Sequence, residues 1–189
     1  MGAGLPSVLS LNGTLKITDH LGVGVNFGMI PTIKLSFYGD AELTYREYDF
    51  YARWYPLGGP VFVSAGAGYA TIRGRLTNQY DLSPYRDLAP NLPESLEVTS
   101  KASVRTMVVT PQLGLLHRFD VGLTLGVDIG AQVPIRPSEI EVTTDLPDGV
   151  PPEVVAAYIT PNDQKVYDTL EKVGRTTIPT LNVRIGWLF

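Results

Sequence analysis

The sequence contains no cysteine, which excludes disulfides, thiol nucleophiles and thiolate metal sites and is compatible with an oxidising compartment. Only two histidines are present, His20 and His117, too few and too far apart to build a metal constellation. No apolar run approaches the roughly 20 residues of a spanning helix. Any membrane form of this chain must therefore be a closed barrel, the one strand arrangement that satisfies its own backbone in lipid. Charge is also scarce, at 18% of residues, and the net charge of −4 gives no basis for binding nucleic acid. Met1-Gly2-Ala3-Gly4 carries neither the basic nor the long apolar region of a signal peptide. Met1 is accordingly read as a start placed before a mature or truncated sequence.

What is abundant points to strands and turns. The chain has 19 Gly, 15 Pro and 10 Tyr with 44% hydrophobic residues, and its 189 residues are read as one domain, 1–189. Alternation organises it. In Thr177–Phe189 the positions Leu181, Val183, Ile185, Trp187 and Phe189 are apolar, while Thr180, Asn182, Arg184 and Gly186 between them are polar or small. The same period recurs in Leu5–Thr18, which puts Leu9, Leu11, Leu15 and Ile17 on one face and Asn12, Thr14 and Lys16 on the other. A turn at Asp19-His20 leads to a strand with Leu21, Val23, Val25, Phe27 and Met29 opposite Gly22, Gly24, Asn26 and Gly28. It continues to a turn at 38–40.

An aromatic-rich strand from Glu42 to Tyr55 sets Tyr48, Phe50, Ala52 and Trp54 against Asp49, Tyr51, Arg53 and Tyr55. Further strands run from Val61 to Arg75, to Leu116, and from Val121 to Val133, the last with Gly122, Gly126, Asp128 and Gln132 on its small and polar face. The stretches 76–100 and 134–172 read as long loops. The second is acidic and Pro-rich, with a short helix expected from Pro151 to Tyr158 and another from Thr160-Pro161 to about Val173.

A chain of alternating strands that ends on Phe189, with Trp187 two positions earlier, resembles the bacterial outer-membrane β-barrel family, the class that contains the OmpA transmembrane domain. The resemblance implies an all-β, antiparallel up-and-down transmembrane barrel of eight strands in the outer membrane of a Gram-negative bacterium. Short periplasmic turns would lie near Asp19, Leu57 and His117, and loops near Gly39, 76–100 and 134–172 would be extracellular. Leu181, Val183, Ile185, Trp187 and Phe189 would be the signal read by the assembly machinery. The alternation supplies seven strands where the family needs an even number. The eighth strand was lost from the N-terminus, or lies in Gly2–Pro6, or is merged into another.

Small residues suit the interior of a narrow barrel. Lys16, Asp49, Arg53, Asp128 and Arg184 then fall inside, where charges must pair, and are expected to form an ion-pair network. Tyr48, Trp54, Tyr55, Tyr69, Phe119, Trp187 and Phe189 are the expected interfacial girdles. Gly22-Val23-Gly24 and Gly66-Ala67-Gly68 lie within strands and are followed by no Lys-Ser/Thr, so they cradle no phosphate. Both histidines fall in turns remote from any outer-leaflet substrate, so no enzyme activity, metal or cofactor is expected.

Segment 134–172 holds eight acidic and three basic residues, with Val154, Val155, Tyr158, Val166, Tyr167 and Leu170 interleaved, the pattern of a surface that caps the barrel or contacts a protein partner. The leading expectation is a membrane anchor or scaffold in contact with lipid. A narrow channel or transporter for small solutes, and a soluble lipocalin-like binding barrel, stand as alternatives.

Overall fold

In a computed structural model, which describes residues 1–35, 40–81, 95–145 and 160–187, the strand that periodicity leaves unplaced is Gly2–Leu5. The elements are β1 (Gly2–Leu5), β2 (Leu9–Lys16), β3 (Leu21–Leu35), β4 (Asp40–Trp54), β5 (Val61–Asp81), β6 (Ser95–Arg118), β7 (Leu123–Asp145), helix α1 (Thr160–Gly174) and β8 (Ile178–Trp187). Each strand pairs antiparallel with its chain neighbours, and β1 pairs with β8 from Gly2↔Arg184 to Leu5↔Leu181, closing an eight-stranded barrel. The expected single strand Leu5–Thr18 is thereby corrected. Pro6, which has no N–H to give a ladder, ends β1, and the chain turns through Ser7 into β2.

Successive partners Leu21, Trp54, Val63, Leu113, Ile129, Leu181 and Leu5 trace a row around the wall. The row starts beside the β2–β3 turn and finishes at the tip of the β1–β2 hairpin, the displacement that tilted strands need to close a barrel. Two of the turns use glycine in a left-handed conformation, Gly58 (φ 63) and Gly122 (φ 86).

The expected loops 76–100 and 134–172 are corrected as well. β5 runs on to Asp81, β6 begins at Ser95 and β7 reaches Asp145. These extensions alternate in the opposite sense, with Val98, Ile140 and Val142 turned inward and Thr99, Glu141 and Thr143 outward, so the pattern of outward apolar residues ends before them. Hydroxyl pairs replace it: Thr77 with Thr99 at 3.1 Å and Ser100 with Thr144 at 3.1 Å. Pro134 and Pro137 are absorbed in β7 by register shifts against β6. The helix expected at Thr160 forms and reaches Gly174, whereas the one proposed for 151–158 lies outside the described residues.

α1 packs on the extended β6–β7 ribbon, with the Thr144 hydroxyl donating to Asp163 Oδ1 at 2.7 Å. Its last turn, Val173-Gly174, lies beside Tyr45, Ile72, Val108 and Gln132 at the upper end of the lumen.

Candidate functional site in the barrel lumen

Glycine on the inner face decides where large side chains go. A Cβ at Gly114 would overlap the Phe62 ring, one at Gly24 the Tyr51 ring, and one at Gly28 the side chains of Ser7 and Glu47. Phe62, Tyr51 and Glu47 thus fill the space that a glycine on the next strand leaves, which packs a narrow interior among the described residues.

Two polar layers occupy this interior. In the first, Asp128 is 1% exposed and meets Arg184, Nε to Oδ2 at 2.7 Å, with Nη2 donating to Oδ1 at 3.1 Å. Asn182, the register partner of Asp128, donates to Oδ1 at 2.8 Å. Arg184 is opposite Gly126, which has no side chain to oppose it, so the guanidinium leans diagonally to the carboxylate. Arg53, 2% exposed, is held differently: its guanidinium lies 4.5 Å from the Tyr51 ring centre and 4.7 Å from that of Phe62. Its Nη1 donates to Thr14 Oγ1 at 3.3 Å, while Nε and Nη2 are buried without a hydrogen-bond partner. Two desolvated aromatic faces, each good for about 2 kcal/mol, hold it in place, and Asp128 and Asp49 attract it from beyond ion-pair distance.

The second layer is carboxylate-rich. Asn26 Nδ2 donates to Asp49 Oδ2 at 2.9 Å and to Glu47 Oε1 at 3.3 Å. Glu47 Oε2 also accepts from Gln132 Nε2 at 3.0 Å. The Tyr45 hydroxyl lies 2.8 Å from both Glu47 Oε2 and Gln132 Oε1 and donates to one of them at a time. No described Lys or Arg comes within ion-pair distance of Glu47 or Asp49. Between the layers remains a space of about 20 Å³ bordered by Glu47, Asp49, Gln112, Asn182 and Arg184. That is room for about one water.

The five charges expected to form one network are distributed over four places. Asp128 and Arg184 form an ion pair, Arg53 is clamped by aromatics, and Asp49 belongs to the carboxylate layer. Lys16 pairs instead with Asp19 at 3.2 Å in the exposed β2–β3 turn, because the strand ends there and water is nearer than any lumen anion. Tyr55, expected in a girdle, is buried inside with its ring 5.7 Å from Phe62. The reading overlooked Glu47 and Tyr45, although both share the parity of Asp49 on β4 and so face inward with it.

Trp54 and Trp187, each 56% exposed, face outward, as do Leu181, Val183 and Ile185; Phe189 lies outside the described residues. Of the expected partner surface, Val154, Val155 and Tyr158 lie outside the described residues. Val166, Tyr167 and Leu170 lie on α1, with Tyr167 exposed and the other two half-buried. His20 Nδ1 contacts the Tyr55 carbonyl at 2.8 Å, and His117 stacks edge-on against Phe119 at 4.6 Å. Neither arrangement sets up a nucleophile and its base. Among the described residues no group of three or more His, Asp or Glu is arranged to hold a metal ion.

No protein-family profile matches the chain, and no curated protein sequence matches it. Solved structures do, and two of them are from Acinetobacter baumannii. The crystal structure of Acinetobacter baumannii CarO2 superposes with a TM-score of 0.53 at 12% identity, covering 100% of this chain and 95% of that one. The crystal structure of CarO from the same organism gives a TM-score of 0.51 at 13% identity, with the same coverage. At these identities the likeness is one of fold.

Proposed function

We propose that the protein is a small outer-membrane β-barrel of a Gram-negative bacterium, a sealed membrane scaffold whose extracellular ribbon and α1 meet a partner protein. The observation that carries this reading is the inside-out wall. Leu11, Val25, Phe50, Ile129 and Val183 are exposed on its outside, Phe50 by 75%, while Arg53, Asp128 and Arg184 are buried within. A soluble barrel would hide the apolar set and wet the charges; lipid reverses both preferences. Trp187 and Phe189 would then close the segment that the assembly machinery reads. Exposed Tyr167 on α1 would be an anchor for a partner.

A narrow channel is the second reading. What favours it is that, among the described residues, neither Arg53 nor the Glu47–Asp49 layer makes a contact ion pair, as a solute path would require. The packed interior argues the other way. Planar-bilayer recording of the refolded protein decides between them: the scaffold reading expects no steady current, and a reproducible unit conductance would make the protein a channel.

A further inference from the structure

The outer face of the wall changes character beyond the aromatic row of Phe27, Tyr48 and Tyr69, where Phe27 and Tyr48 pack with ring centres 5.0 Å apart. Arg105 lies over the Tyr69 ring at 4.5 Å and 3.8 Å from Glu139, and it begins a cationic field. Arg73 and Arg75, two apart on β5, point outward, since Ile72 on the same strand and Val104 on β6 face the lumen. Along a strand that spacing sets their Cα atoms about 7 Å apart. Arg75 is directly opposite Lys101, and Arg46 is opposite Thr71, one step below Arg73. Like charges set directly across a ladder are unfavourable unless something neutralises them.

The neighbouring carboxylates are mostly taken. Glu42 pairs with Lys34 at 3.3 Å, Asp145 with Lys101, and Glu139 is beside Arg105. Glu141 borders the same surface opposite Ser103. Among the described residues this face sets six cations against four carboxylates, although the whole chain carries −4. Arg46, Arg73 and Arg75 make no hydrogen bond or ion pair with any described residue. A groove of about 400 Å³ opens here, lined by Glu42, Thr44, Arg73, Arg75, Lys101 and Glu141.

We infer that this groove docks the phosphate of an anionic lipid headgroup in the outer leaflet, held by Arg73 and Arg75 with Arg46 beside them. The inference rests on the membrane reading, which sets the aromatic row at the interface and the cations at headgroup depth. Arginine suits the task because its planar fork meets phosphate oxygens two at a time. Unpartnered arginines just above a lipid belt are thereby neutralised by the solvent they stand in.

The test uses the full chain in neutral detergent, with lipid A as the probe and native mass spectrometry as the readout, comparing wild type with R73Q/R75Q. Losing two headgroup cations weakens lipid A retention about 30-fold. The heat-dependent gel shift of both proteins in phosphatidylcholine vesicles stays the same. Equal retention by the variant overturns the docking site while leaving the membrane barrel standing. Displacement of lipid A by inorganic phosphate at matched phosphate concentration overturns the lipid assignment. Absence of any folded, vesicle-associated form in phosphatidylcholine overturns the membrane reading and the inference with it.

Discussion

Asp128 and Arg53 show two ways of burying a charge in a tightly packed interior. Asp128 is ion-paired with Arg184 and accepts from Asn182, and truncating it would leave the Arg184 guanidinium without its counter-ion. Removing one partner of a buried pair costs about 3–5 kcal/mol, whereas removing both costs far less. In urea unfolding from lipid vesicles, Asp128→Ala is expected to lose that amount and Asp128→Ala/Arg184→Met to recover most of it. Additive losses would mean that the pair contributes nothing as a pair. Which residues face inward was legible in the sequence, because side-chain parity is a local property of a strand. Which of them touch was not. The reach of Arg184 depends on Gly126 being its register partner, and the aromatic clamp on Arg53 depends on Phe62 lying over Gly114, facts of inter-strand register.

Among the elements, β1 is the one on which closure depends and the one the pattern hides. Four residues with two glycines carry no alternation, yet they alone join β8 to β2. Gly2 and Gly4 approach β8 so closely that a Cβ on Gly4 would overlap the Leu181 carbonyl and the Asn182 backbone. Gly4→Val should therefore lower the temperature at which the folded gel band is lost, at a cost of roughly 1–3 kcal/mol. Gly59→Val, in a turn with open space around it, should leave that temperature unchanged. An unshifted Gly4→Val band would remove β1 from the closing seam.

The strand ends failed to show in the sequence for a different reason. Alternation with apolar residues outward ends near Tyr69; beyond it β6 and β7 turn Val98, Val104, Ile140 and Val142 inward and Lys101 and Glu141 outward, so the pattern inverts while the ladder continues. Helix α1 was legible from the Thr160-Pro161 start and the apolar positions Val166, Leu170 and Val173.

For the whole molecule, one asymmetry connects composition to location. Between the short turns and the Phe27–Tyr48–Tyr69 row, glycine and charge lie mostly inside and leucine and valine outside, an arrangement favoured by a solvent that is itself apolar. On the proposed scaffold reading, function falls to the surfaces that emerge from that solvent: α1, the long ribbon and the arginine groove. The chain's two tryptophans report on the arrangement without mutation. Trp54 ends β4 and Trp187 ends β8, both outward and both on the side of the short turns. The most direct measurement is therefore quenching of their fluorescence in vesicles of phosphatidylcholine brominated at different depths along the acyl chain. The account predicts strong quenching by bromine near the headgroup and weak quenching by bromine near the tail end, because both rings sit at one interface. Emission indifferent to bromine at every depth would contradict it, and would return the same eight strands to water.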